Sequence, residues 1–269
     1  IRKLEIPLAP LPEQKRIAEK LDTLLARVDS CQTHLERVPQ ILKRFRQSVL
    51  DAATSGRLTE KQYGSNNAHH RSLRDVIERI KTGPFGSALH KSDYISGGIP
   101  LVNPMHINNG KITPSEDMTI SNKKAQALRE FLLTSGDVIL ARRGVMGRCA
   151  VVRGRENGWL CGSGSMFLRP NKDILPDYLQ IFLSSPSTVA ILNEDSVGST
   201  MSNLNQKILF NLQIRVPRIE EQHEIVSHVE RLFAFADKLE IRYETSSDMV
   251  EQLTPSLLAK AFRGELVKQ

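Results

Sequence analysis

The stretch Arg142-Arg143-Gly144-Val145-Met146-Gly147-Arg148 directly follows an apolar run, and Arg153, Arg155 and Arg169 lie nearby in sequence. Two adjacent guanidiniums on a loop loosened by glycine can approach a phosphate backbone closely. Each planar fork can also pair with guanine O6 and N7. Arg142, Arg143, Met146 and Arg148 are therefore candidate DNA contacts, although a solvated surface loop would have the same composition. A second polar loop runs from Gly198 to Asn203. Its Ser199, Thr200 and Asn203 offer short hydroxyls and an amide suited to phosphate or adenine. The competing reading is a helix cap ahead of Leu204. A third candidate is the turn Lys81-Thr82-Gly83-Pro84-Phe85-Gly86-Ser87 with Lys91 beyond it, which adds Lys81, Phe85, Ser87 and Lys91 to the set.

Other constellations point away from catalysis. Asn103-Pro104-Met105-His106 resembles the Asn-Pro-Pro-aromatic loop of amino-methyltransferases, whose aromatic ring stacks on a flipped base. Here Met105 stands at the second proline and His106 at the aromatic, and no glycine-rich loop follows a first strand to hold S-adenosylmethionine. Asn103 and His106 are kept as candidate DNA contacts, not as a methyltransferase centre. Cys161-Gly162-Ser163-Gly164-Ser165 has two glycines of a dinucleotide fingerprint without the third, and reads better as a tight strand loop. There is no phosphate-loop motif and no nucleophile-base pairing in a recognisable setting, and the carboxylates are scattered. His69-His70 lacks cysteine or acidic companions and reads as solvated loop, not metal site. Cys31, Cys149 and Cys161 are odd in number and lack CxxC spacing. They fit buried thiols in a reducing cytosol better than a disulfide or metal framework. The expectation is a non-enzyme that binds no metal and no cofactor of its own.

Composition agrees with a basic globular chain. Of 269 residues, 40% are hydrophobic and 25% charged, with a net charge of +7 and a pI near 9.4. That balance permits a nucleic-acid or acidic partner without proving one. No apolar run approaches the roughly 20 residues that span a bilayer, and no signal peptide is evident. The expected place is the cytoplasm, with no membrane partner.

The elements that must position these loops are of two kinds. From Ser72 to about Arg215 the pattern is α+β. A short helix is expected over Leu73, Val76, Ile77 and Ile80. Strands are expected at Ile99–Val102, Asp137–Ala141, Cys149–Val152 and Met166–Leu168, with helices near 177–183 and 188–193. One globular domain over 72–217 with a mixed or antiparallel sheet follows. Residues 62–71 are polar and read as a linker.

Flanking this domain, the chain says nearly the same thing twice. Glu13 and Glu221, Gln14 and Gln222, Ile17 and Ile225, Leu24 and Leu232, Ala53 and Ala261, Gly56 and Gly264, and Leu58 and Leu266 are identical pairs at one offset of 208 residues. A repeat this long is not chance. Each copy, within 1–61 and 218–269, reads as a long amphipathic helix. The first runs from Pro12 to about Ser55, with Gly56 suited to its stop; at 1.5 Å per residue it would span about 65 Å. Pro39 should kink or restart it. In the second copy Thr245-Ser246-Ser247 and Pro255 are expected loose points. The stripe Ile17, Leu21, Leu24, Leu25 and Val28 in one copy, and Ile225, Val229, Leu232, Phe233 and Ala236 in the other, predicts an antiparallel coiled coil. By the same repeat, Ile1–Pro7 matches the tail of a globular unit, as Leu209–Arg215 does, so a preceding globular unit is expected.

The helical segments Ala18–Ala26, Gln40–Gln47 and Leu258–Leu266, with the globular opening Gly83–Ser87, Gly98–Val102 and Asn108-Asn109-Gly110, resemble the specificity subunit of type I restriction–modification systems, especially its type IA branch. The resemblance implies a target recognition domain that reads one half of a bipartite DNA site, and helices that act as a ruler to the other half. It implies docking of two modification subunits, which methylate adenine with S-adenosylmethionine, and of two restriction subunits, which use ATP and Mg2+. None of those cofactors would be bound by this chain. The family has two recognition domains; this sequence has one. It is thus expected to be either the C-terminal half of a full subunit or a natural half-subunit that forms a homodimer. Two other readings remain open: a coiled-coil adaptor, and a self-contained DNA-binding protein without methyltransferase partners.

Overall fold

The structure, a computed structural model, describes residues 9–64, 69–84, 86–196 and 204–266, without the side chains of Ser87, Asp195 and Ser196. In chain order the elements are α1 (Leu11–Leu35), α2 (Val38–Thr54), α3 (Glu60–Tyr63), β1 (His69–Ser72), β2 (Ile77–Thr82), β3 (Tyr94–Ile95), β4 (Ile99–Val102), β5 (Ile107–Asn108), β6 (Lys111–Ile112), β7 (Thr119–Ile120) and α4 (Asn122–Ala127). They continue with β8 (Val138–Ala141), β9 (Cys149–Val151), β10 (Leu160–Cys161), β11 (Ser165–Pro170), α5 (Pro176–Ser184), α6 (Pro186–Ser196), α7 (Gln206–Asn211), β12 (Gln213–Val216) and α8 (Ile219–Phe262).

Two compact units emerge, one of residues up to Arg46 together with those from Leu232, the other Gln47–Arg231. The division falls inside the helices and not at the 61/72 and 217/218 boundaries expected from sequence. The reason is burial: Val49 and Ala53 near the end of α2, and Glu221, Gln222, Ile225 and Val229 at the start of α8, are core residues of the Gln47–Arg231 unit.

That unit is α+β, as the sequence implies. One sheet is antiparallel in the order β2-β11-β8-β9; a second, in the order β10-β4-β7-β3, is mixed because β10 and β4 run parallel. Side chains alternate across a strand. In β4, Leu101 and Val102 accordingly enter different apolar clusters, and Leu160 and Cys161 of β10 divide in the same way. The cluster of Val102 and Cys161 also holds Ile139, Ala150 and Phe167, which joins this sheet to the first. Helix α5 covers β9: Val151 N donates to Gln180 Oε1 at 3.1 Å.

Two local expectations are corrected here. The helix over Leu73–Ile80 is a single 3-10 turn, Leu73–Val76, followed by strand β2. Apolar residues at 73, 76, 77 and 80 fit a helical period, but pairing of Ile80 with Leu168 wins. The segment read as linker contributes His69–Arg71 to β1, which pairs antiparallel with β12, so His69-His70 is strand and not free loop.

The helical unit holds α1, most of α2 and the greater part of α8. The first long helix is broken at Glu36-Arg37 and restarts at Val38. Pro39 thereby falls in a first turn, where its missing N–H costs nothing. In contrast, α8 runs unbroken through Thr245–Ser247 and Pro255. Thr245 Oγ1 donates back to Ile241 O at 3.0 Å, which satisfies the hydroxyl within the helix. The predicted stripe is the covered side of α1: Val28 is buried and Ile17, Leu21, Leu24 and Leu25 are half-buried, while Lys20 and Arg27 are exposed. In α8, Ala236 is buried and Leu232 and Phe233 half-buried. Arg46 of α2 reaches α8, its Nη2 lying 2.7 Å from both Asp237 Oδ1 and Glu240 Oε2. No helix among the described residues is long and apolar enough to cross a membrane.

Candidate DNA interface

Four loops of the Gln47–Arg231 unit meet at one rim because small residues let their backbones touch. Gly162 N donates to Val102 O at 3.0 Å, and Gly83 N donates to Ser165 O at 3.0 Å. A Cβ on Gly83 would stand 2.0 Å from Gly162 O, and one on Gly162 would stand 2.1 Å from Asn103 Oδ1. At Gly83 the clash is with backbone, so no larger residue fits there; at Gly162 it is with the Asn103 side chain, which would have to move. The loop after β8 joins the same rim: Arg142 N donates to Gly164 O at 2.9 Å, and Arg148 Nη1 donates to Pro104 O at 3.2 Å. Leu204, where the described chain resumes, is bonded to Arg142 from both sides. Its N–H donates to Arg142 O at 3.0 Å, and Arg142 Nε donates to its carbonyl at 3.2 Å. The rim therefore gathers the ends of β2, β4, β8 and β10, with the start of α7 behind Leu204.

Of the sequence candidates, the structure brings Asn103, His106, Arg142, Arg143, Met146 and Arg148 into this rim, in different roles. Arg143 is exposed, and Arg142 and Arg148 are half-buried. Met146 is buried, 5% exposed, so its side chain sits beneath the arginine loop and not on its surface. His106 is also buried. Its Nδ1 accepts from Asn103 N at 3.2 Å, leaving Nε2 with no partner among the described residues. Burial pushes its pKa below the ordinary imidazole value, and its bond from Asn103 N shapes the Pro104–His106 turn. Asn103 is half-buried against Gly162 and Met118. Lys81 points elsewhere: its ammonium pairs with Glu130 and lies 5.5 Å from the Phe131 ring centroid. Lys91 is exposed on the short turn before β3, and no hydrogen bond or ion pair joins it to the rim among the described residues. Phe85, Ser199, Thr200 and Asn203 lie outside the described residues, as does the Ser87 side chain.

Cys161-Gly162-Ser163-Gly164-Ser165 is the tight strand loop that its composition suggested. Sequence reading missed its importance as the point on which the other loops pack; the signal was the run of small residues itself. Cys149 and Cys161 are buried, and burial pushes the Cys149 thiol up to about 12. Cys31, expected buried with them, is exposed on α1. No group of three or more potential metal ligands occurs among the described residues.

The family model described as type I restriction modification DNA specificity domain matches residues 67–244, which contain this rim. The chain belongs to that family. Among curated relatives of this specificity chain, the type I restriction enzyme EcoBI specificity subunit of Escherichia coli is 38% identical over 98% of this chain and 59% of its own length. The EcoKI specificity subunit of Escherichia coli strain K12 is 36% identical over 99% of this chain and 58% of its own. The chain thus spans about three fifths of the length of these relatives. The fold agrees. A chain in a structure of the type I R-M system superposes with a TM-score of 0.68 at 22% identity, covering 97% of this chain and 61% of that one. The HsdS subunit from Thermoanaerobacter tengcongensis superposes with a TM-score of 0.61, also at 22% identity, over 97% and 60% respectively.

Proposed function

We propose that this chain is the DNA-recognition component of a type I restriction–modification complex and that the rim loops read one half of a bipartite target. The observation that carries this reading is the arginine loop of a specificity-family chain, anchored by buried Met146 and tied to the Asn103–His106 turn through Arg148. Arg143 and Arg142 supply charge for phosphates and forks for guanine, while glycine contacts fix the loops behind them. The chain itself contributes no bond-making step. Adenine methylation with S-adenosylmethionine and ATP-driven restriction belong to partner subunits.

The long helices serve as spacer and dock. Helix α8, with 44 residues, is about 66 Å long at 1.5 Å per residue. Ile41 and Met249 occupy equivalent positions of the repeat and are 61% and 62% exposed. Two equivalent exposed apolar side chains suit two copies of one partner, the modification subunit.

The test is DNA binding by the chain assembled with its modification subunits, measured across salt concentrations. A reader loses affinity linearly in log[salt], by about 0.9 per phosphate contact. Arg142→Ala or Arg143→Ala should weaken binding and, where guanine is read, relax one position by about 1–3 kcal/mol. Salt-independent binding unchanged in both variants would overturn the loop assignment. Ile41→Glu with Met249→Glu should abolish co-purification of the modification subunit while leaving thermal stability intact.

A further inference from the structure

Among the described residues of the Gln47–Arg231 unit, the two most exposed large apolar side chains are Val145, at 64%, and Met105, at 61%. Both lie on the rim. Val145 is the tip of the arginine loop; Met105 is the centre of the Pro104–His106 turn, whose first carbonyl is held by Arg148. Their exposure is built in. Val145 is followed by Met146, which is buried, and by Gly147, where a Cβ would stand 2.3 Å from Val189 Cγ2. The loop is therefore seated on the globular core immediately behind Val145, so of two adjacent apolar residues one is spent as the anchor and the other is held out. Met105 is fixed similarly, between buried His106 and the Pro104 carbonyl, and Asn108 Nδ2 donates to Met105 O at 3.1 Å.

An apolar tip beside arginines has a specific use on DNA. Arginine contacts phosphates and guanine, but it cannot recognise the thymine C5-methyl group, which projects into the major groove and is met by apolar side chains. We propose that Val145 and Met105 are specificity-determining residues that read thymine methyl groups in the half-site, next to the positions served by Arg142 and Arg143. This rests on the rim being the DNA-reading surface. It adds a sequence preference that charge alone would not give: an A·T pair adjacent to the arginine-read positions.

The experiment replaces each thymine of the mapped target duplex by deoxyuridine, which removes the methyl and nothing else. Affinity is measured for the assembled modification complex carrying the wild-type chain, Val145→Ala or Met105→Ala. The wild type should lose about fourfold at one or more thymines, the worth of one buried methyl. At that same position the matching alanine variant should be insensitive to the replacement. Both variants truncate exposed side chains, and unchanged thermal melting confirms that they fold. A flat scan would overturn the proposal, as would alanine variants that lose affinity at uracil just as the wild type does. A half-site whose only A·T pair is the one methylated by the partner subunit would also overturn it. Loss on alanine substitution with a flat scan would mean that the side chains wedge between base steps instead. Failure here is separable from failure of the rim as reader: Arg143→Ala and the salt slope report the latter independently.

Discussion

The two copies of the repeat open with the same Glu-Gln pair, yet the structure uses them differently. In both, the glutamine amide donates to the carbonyl five residues earlier, Gln14 to Ala9 at 2.6 Å and Gln222 to Pro217 at 2.8 Å. There the likeness stops. Gln222 is fully buried, donates also to Asp173 O at 2.9 Å, and accepts from Leu175 N at 2.7 Å. Glu221 is 1% exposed and accepts from both Arg215 Nη2 at 2.7 Å and Thr59 Oγ1 at 2.8 Å. Glu13 and Gln14 are only half-buried. The Glu-Gln signature thus has a local half, encoded in the helix start, and a tertiary half that a globular unit must complete. The second copy clamps the recognition unit with side chains whose counterparts in the first copy, among the described residues, show the local bond of Gln14.

That contrast can be broken by mutation. The largest effect is expected for Glu221→Ala, which strands the buried Arg215 guanidinium and should cost about 3–5 kcal/mol. Glu13→Ala should stay within about 0.5 kcal/mol. Urea melts of the two variants make the comparison, and equal losses would refute the tertiary half. Next comes Gln222→Ala, which leaves several buried backbone groups unpaired and should cost about 2–3 kcal/mol, against about 1 or less for Gln14→Ala.

The helix stops sharpen the same contrast. Gly56 and Gly264 both end their helices with positive φ, +82° and +74°. An alanine at Gly264 meets open space and should cost only the left-handed strain, about 1–2 kcal/mol. At Gly56 its Cβ would also stand 2.8 Å from Arg215 Cζ, so Gly56→Ala should cost clearly more in the same melts. The smallest effect is expected at Arg46. Its pairs with Asp237 and Glu240 are partly solvent-exposed, and Arg46→Ala should cost under about 1 kcal/mol, with a salt dependence that the buried Arg215–Glu221 pair lacks.

What was legible in the sequence had a period or a stop. The repeat, the amphipathic stripe and the glycine ends of the long helices are where spacing put them, and the strand runs expected at 99–102, 137–141, 149–152 and 166–168 each fall on an observed strand to within a residue or two. Loops have no period. Nothing in Val145-Met146 says which of the two turns inward; the tertiary packing buries Met146 and leaves Val145 out. Lys81 looked available because its partner Glu130 is 49 residues away. His106 looked available as a contact, yet it is buried, and its Nδ1 accepts from Asn103 N. Pro255 looked like a break, but a helix continues through it. For Lys81 a contact distant in sequence, and for Pro255 the continuation of a long helix, outweighed the local signal.

The most direct measurement is single-molecule methylation mapping of DNA from cells that express this chain with its cognate modification subunits, repeated with Arg143→Ala. Adenine methylation confined to a defined split motif, with relaxation of one or two adjacent positions in the variant, is the result expected if the rim chooses the sequence. An identical motif, methylated to the same extent by both, would contradict it.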